Sequence, residues 1–193
     1  MPNPNDVEYR SAFEMRAQEV SERMILEGRA IVFNRPTQIG RMEGRDLFEV
    51  IDPLALEGCD MEDCCLKHNH SWDNLILARV RGGSLSIQVG AEGVDFRAEL
   101  YNTTFSRDVY ELVRQGALQC SFGFIIAPGG AVFDPDTMTR RINRIAKLVD
   151  LSTVDVPAYR ETFVEARSMC ETELAKAVEQ DRRRREVYAK LMI

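Results

Sequence analysis

The chain has 193 residues, of which 45% are apolar and 29% charged, and its net charge is -6. One main domain with an ordinary buried core fits these figures, and no run of about 18 uncharged apolar residues is present to cross a bilayer. The acidic balance argues against a general affinity for nucleic acid, which needs basic surface, and the polar start MPNPNDVEYR lacks the basic-then-apolar order of a secretory signal, so a cytosolic location is expected.

Residues 8 to 24 contain many helix formers and neither Gly nor Pro, with Phe13, Ala17, Val20 and Met24 three or four apart, which predicts an amphipathic helix. From Gly28 to Asn34 the run GRAIVFN predicts a strand closed by Asn34, Arg35 and Pro36. A second apolar run, LFEVI, ends at Asp52-Pro53, where Asp as cap and Pro as first helical residue suit a short helical turn to Glu57. The segments LILARV, SLSIQVG and VDFRAELY follow, separated by Gly82-Gly83 and Ala91-Glu92-Gly93; their partial alternation predicts an antiparallel meander.

Between Thr104 and Gly116 the period changes, and Phe105, Val109, Leu112 and Val113 form one helical face, with Thr104 suited to cap the start and Gly116 the end. Strand character returns in LQCSFGFIIA, a turn is predicted at Pro128-Gly129-Gly130, and a β-branched run extends from Arg140 to Val156. Residues 161 to 193 are rich in Glu, Lys, Arg and Ala and predict a weakly amphipathic terminal helix; the basic run Arg182 to Arg185 reads as a solvated face of it. No internal repeat is evident.

Both histidines, His68 and His70, lie one residue apart in KHNHSWDNLILARV. With Cys59, Cys64 and Cys65 they could form a zinc site, but the ligands are irregularly spaced and no second cluster follows. The odd total of five cysteines does not suggest a disulfide framework. Alternatively the histidines simply face water, or one is a general base whose nucleophile lies elsewhere in the sequence. QCSFGF offers Ser121 in a strand, with Gly123 two residues on and on the same face, where it would let a substrate backbone approach the hydroxyl.

Taken in order, EGRAIVFN, EVIDPLAL, HNHSWDNLILARVRGGSLSIQVGAEGVDFRAEL, QCSFGF and VDLSTVDVPAYRET resemble the successive blocks of the prohead maturation proteases of tailed bacteriophages, which are similar in fold to the herpesvirus assemblin proteases. The resemblance spans roughly residues 26 to 162. It implies a closed or nearly closed six- to seven-stranded β-barrel surrounded by helices, with helical extensions at 1–25 and 163–193 flanking a protease domain at 26–162. It also implies Ser121 as nucleophile, His70 after Asn69 as general base, and Asp150 as the acid that orients the imidazole, with Asp73 and Asp155 as alternatives and no metal or cofactor. Arg140 or Arg141 could assist backbone donors at the oxyanion. The family usually has Asp after the histidine and Glu at the acidic position; here Ser71 and Asp150 stand there.

By resemblance the protein is a phage or prophage serine endopeptidase packaged inside the procapsid in the host cytoplasm. It would cut the scaffold or the capsid protein precursor, and itself, with a homodimer or higher oligomer as a further expectation and neither nucleic acid nor membrane as partner. Its terminal helices would dock to scaffold or be cut. The alternative is a weakly active or inactive relative of the same fold that serves as a capsid-assembly or scaffold-binding module.

Overall fold

The structure, a computed structural model, describes residues 6–12, 14–20, 23–73 and 75–155, and also residues 175, 178, 179, 182 and 183. The first half contains β1 (Glu8–Ser11), β2 (Glu14–Val20), β3 (Arg23–Val32), β4 (Thr37–Met42), β5 (Arg45–Ile51), β6 (Cys65–His68), β7 (Ala78–Arg79), β8 (Leu85–Val89) and β9 (Gly93–Glu99). The helix α1 (Thr104–Arg114) then precedes β10 (Gln119–Ile126), β11 (Ala131–Asp134), β12 (Thr139–Ile142) and β13 (Ile145–Val154).

These strands form three sheets, in the orders β1-β10-β13-β6-β7, β11-β12-β5-β4 and β2-β3-β9-β8. A barrel requires every strand to be paired on both sides. Here β1 and β7 are unpaired edges of the first sheet, and the other two also end in edge strands, so among the described residues no sheet closes. The expected barrel is therefore replaced by open sheets stacked in a sandwich-like way, and the described body has one helix instead of a surrounding set. The main core fills the space between sheets with Leu26, Ile31, Phe96, Phe122, Phe124 and Leu151, while Ile39, Met42, Leu47 and Met138 make a smaller cluster under β4 and β5.

The described residues between 8 and 24 form β1, β2 and the start of β3 and not the predicted helix. In β2 the half-buried Met15 and Ala17 alternate with exposed Glu14, Arg16 and Gln18, a period of two imposed by antiparallel pairing with β3. The close approach of these strands depends on Gly28, whose missing side chain leaves room for the Glu14 carbonyl. The helix at 104 to 114 forms where the period changes, but its cap is Thr103, whose hydroxyl accepts from Ser106 N at 3.0 Å. LILARV contributes only the two-residue β7, and the run after Arg140 is split into β12 and β13, since Asn143 N and Arg144 N both turn to the Gly130 carbonyl. The terminal helix expected over 161–193 lies almost wholly outside the described residues; the five described there are helical.

One buried ionic cluster fastens β1 to the body. Glu8 and Arg10 project from one face of β1 and interleave with Glu49 of β5 and Arg140 of β12, all at most 7% exposed. Arg10 donates to both Glu49 oxygens at 2.7 and 2.8 Å and to Glu8 at 2.7 Å; Arg140 donates to both Glu8 oxygens at 2.7 Å and to Glu49 at 3.0 Å. Charges this deep are tolerable only because each acid meets two bases and each base two acids.

Burial by itself would raise the Glu8 carboxyl, but hydrogen bonds and charges from Arg140 and Arg10 outweigh it and hold the group below its ordinary 4.5. A folded-state value below the unfolded one gives stability that is present above the ordinary glutamate range and lost as pH falls through the folded value. Hydrogen-exchange protection of the β1 amides is accordingly expected to hold from neutral pH to about 5 and to fall below about pH 4.5, before that of β13. Protection in β1 that ignores acid down to global unfolding would contradict this.

Candidate active site

The face of the first sheet that carries Ser121 is built by register. β10 pairs antiparallel with β13 so that Ser121 opposes Ser152 and Gly123 opposes Asp150, which places all four on one face. Just beyond, the register shifts: Phe124 opposes Leu148, leaving Val149 as an extra residue beside Asp150. Such a bulge bends its strand and re-aims the neighbouring side chain.

The histidine arrives from β6, which runs parallel to β13 and ends at His68. Asn69 and His70 then both take the left-handed conformation, each with φ near 51°. That conformation costs an ordinary residue about 1–2 kcal/mol, less for Asn, so the surroundings must hold it. They do so with four hydrogen bonds: Asn69 N to Thr153 O at 2.8 Å, Ser71 N to His68 O at 3.2 Å, His70 N to Ser152 Oγ at 3.1 Å and Asp155 N to Asn69 Oδ1 at 3.3 Å. The turn throws the His70 ring back over β10 and β13.

There its Nδ1 lies 2.7 Å from Asp150 Oδ2 and its Nε2 lies 2.8 Å from Ser121 Oγ. An ionised Asp150 accepts only, so Nδ1 carries the proton and Nε2 presents its lone pair to the serine. Ser152 supports the pair, donating to Asp150 Oδ2 at 2.8 Å while accepting from His70 N. Asp150 Oδ1 is buried and has no hydrogen-bond partner among the described residues. This leaves the carboxylate's other oxygen to carry both contacts. The arrangement can deprotonate a hydroxyl and stabilise the imidazolium that results.

Gly123 serves this site otherwise than expected. A Cβ there would press on Asp150 Oδ1 and lie 2.7 Å from Tyr9 Cε1, so the missing side chain makes room for the carboxylate and for Tyr9. Tyr9 itself covers the histidine, with ring centroids 4.0 Å apart. Ser121 is 0% exposed, and the Arg10 carbonyl of the adjoining β1 is 2.9 Å from its hydroxyl. Tyr9, Arg10 and Ser152 were not singled out in the sequence; the two-residue spacing of Asp150 and Ser152 on a strand is the one signal that could have found any of them.

The other candidates separate from this cluster. His68 bonds Thr153 Oγ1 through Nδ1 at 2.9 Å and meets the edge of Phe105, a structural bridge between β6, β13 and α1. Asp73 and Asp155 are exposed. Arg140 belongs to the ionic cluster, and Arg141 reaches out to Asp52 at 3.5 Å. Cys59, Cys64, Cys65, His68 and His70 do not converge: among the described residues no group of three or more His, Cys, Asp or Glu is placed to hold a metal ion. Burial pushes the thiols up, to about 11 for Cys59 and about 12 for Cys120, which makes them poor thiolate donors.

A family model described as caudovirus prohead serine protease matches residues 11–176. Neither the curated proteins nor the solved structures yielded a match.

Gly123→Ala is expected to push Asp150 off the His70 ring. The measurement is the low-field proton resonance of His70 Nδ1–H, which should be present in the parent chain and lost in the variant while the fold is retained. An unchanged resonance would contradict the role given to Gly123.

Proposed function

Since the chain belongs to the caudovirus prohead serine protease family, we propose that it is an endopeptidase of tailed-phage procapsid maturation in which Ser121 is the nucleophile. His70 accepts the Ser121 proton through Nε2 as the hydroxyl oxygen attacks the scissile carbonyl, then delivers that proton to the leaving amine. Asp150 keeps Nδ1 protonated and balances the imidazolium charge. Water then releases the acyl group from Ser121 by the same proton route in reverse. The observation that carries the reading is the continuous chain Ser121 Oγ, His70 Nε2, His70 Nδ1, Asp150 Oδ2, with links of 2.8 and 2.7 Å.

The family places this chemistry in the phage prohead, so the substrates proposed are the capsid protein precursor or scaffold, and the chain itself. Ser71, where the family usually has Asp, turns its hydroxyl away to accept from Asp73 N at 3.2 Å, and the His70 ring is held without it. The full burial of Ser121 favours the second reading, an inactive assembly module, unless the covering strand departs.

Concentrated full chain mixed with the cognate capsid precursor is expected to yield fragments by intact-mass analysis, and Ser121→Ala is expected to yield none with its fold unchanged. Asp150→Asn should lower kcat by on the order of 10⁴ with KM little affected, because the imidazole loses its useful tautomer. If both the parent chain and Ser121→Ala left the precursor whole, the assembly-module reading would take its place.

A further inference from the structure

An extended segment already lies against the nucleophile. β1 is an edge strand that pairs with β10 in the register Ser11 to Ser121, Arg10 to Phe122 and Glu8 to Phe124. The Arg10 carbonyl is 2.9 Å from Ser121 Oγ, and Tyr9 lies across His70. A serine hydroxyl has a single hydrogen, and here the Arg10 carbonyl competes with His70 Nε2 for it. On the other face Arg10 forks onto Glu49 and Glu8 is gripped by both Arg140 nitrogens. The matched family region begins at residue 11, the last residue of this strand.

We propose that β1 occupies the substrate groove of this enzyme as an internal latch, and that the groove selects extended segments with arginine at the residue whose carbonyl meets Ser121 and an acid two residues before it. Strand addition to a sheet edge supplies main-chain hydrogen bonds whatever the sequence, and selectivity comes from alternate side chains that enter pockets. Here the pockets are charged. The cluster contains one acid and one base from the body, Glu49 and Arg140, and one of each from the segment, Glu8 and Arg10. The body pair is neutral by itself, so a replacement segment that brings only one of the two charges leaves an excess buried charge, and one lacking either leaves a body charge with half its partners. A cavity of about 300 Å³ that includes Ser11, Ala12 and Thr37 in its lining gives room for residues beyond the bond.

The inference rests on the peptidase reading for its chemistry. In a displacing substrate Ser121 Oγ would bond the arginine carbonyl carbon, its proton would pass through His70 to the next residue's nitrogen, and that carbon–nitrogen bond would break. Water completes hydrolysis. The same reaction on β1 itself would cut Arg10–Ser11 and remove the latch.

The test uses the full chain with Ser121→Ala, so that binding is read without turnover, and with Glu8→Ala and Arg10→Ala to loosen β1. A fluorescent peptide of residues 6–12, DVEYRSA, is titrated by anisotropy beside its Glu8→Gln and Arg10→Gln forms. The parent peptide is expected to bind at least about a hundredfold more tightly than either, the ratio a lost buried charge pair implies. Equal binding of the three peptides, or binding of none, would overturn the proposal. Should the triple variant not fold, Ser121→Ala with Arg10→Lys alone weakens the latch while keeping both charges. The chain that retains Ser121 should cut the parent peptide between Arg and Ser. Selective binding without such cutting leaves the groove assignment standing and removes the peptidase reading; cutting of the capsid precursor without discrimination among the peptides does the reverse.

Discussion

A carboxylate that is 1% exposed in the middle of a sheet must find donors, and Asp150 is the group around which this molecule is arranged. Its partners come from two directions, Ser152 from its own strand and His70 from the turn after β6. Satisfying it requires the bulge at Val149, the absence of a side chain at Gly123 and two consecutive left-handed residues at Asn69 and His70. None of these features is favourable by itself. Together they bring an imidazole, in a defined tautomer, onto a serine from a third strand. Local strain concentrated in this way is common where geometry serves chemistry.

The second constraint is the buried quartet of Glu8, Arg10, Glu49 and Arg140. It lies on the opposite face of β1 from Tyr9, so one short strand links a charge cluster on one side of the sheet to Ser121 on the other. Four residues of edge pairing would hold weakly by backbone alone; the bidentate ion pairs add strength and direction. The two faces of β1 divide the work, one closing Ser121 and His70, the other carrying the charges that are read.

The parts of the fold legible in the sequence were those governed by local pattern. β8, β9, β10 and α1 announced themselves by alternation, by turn residues or by a change of period. The stretch 8 to 24 did not, because helix formers dominate it and its strands exist through pairing, β1 with β10 far along the chain and β2 with the adjoining β3. No element was predicted over β4 or β11, whose sequences are half polar; β4 is held by pairing with β5 and β11 by pairing with β12. Barrel closure was an expectation drawn from resemblance, and the unpaired edges at β1 and β7 overturn it. His70, Ser121 and Asp150 were singled out from ordered motifs and stand within hydrogen-bond reach of one another. Arg140 was offered as a helper at the oxyanion and instead joins Glu8, Arg10 and Glu49 in the buried quartet, since no local pattern distinguishes a charge that will be buried against its opposite.

The central claim is that Ser121 is a nucleophile activated by His70. Treating the concentrated full chain with a serine-directed phosphonate and mapping the adduct by peptide mass tests it without knowledge of the natural substrate. A single adduct is expected, on Ser121, formed as β1 opens and abolished by His70→Ala. An adduct elsewhere, or none at neutral pH after mild denaturant has released β1 with the rest of the fold intact, would contradict it.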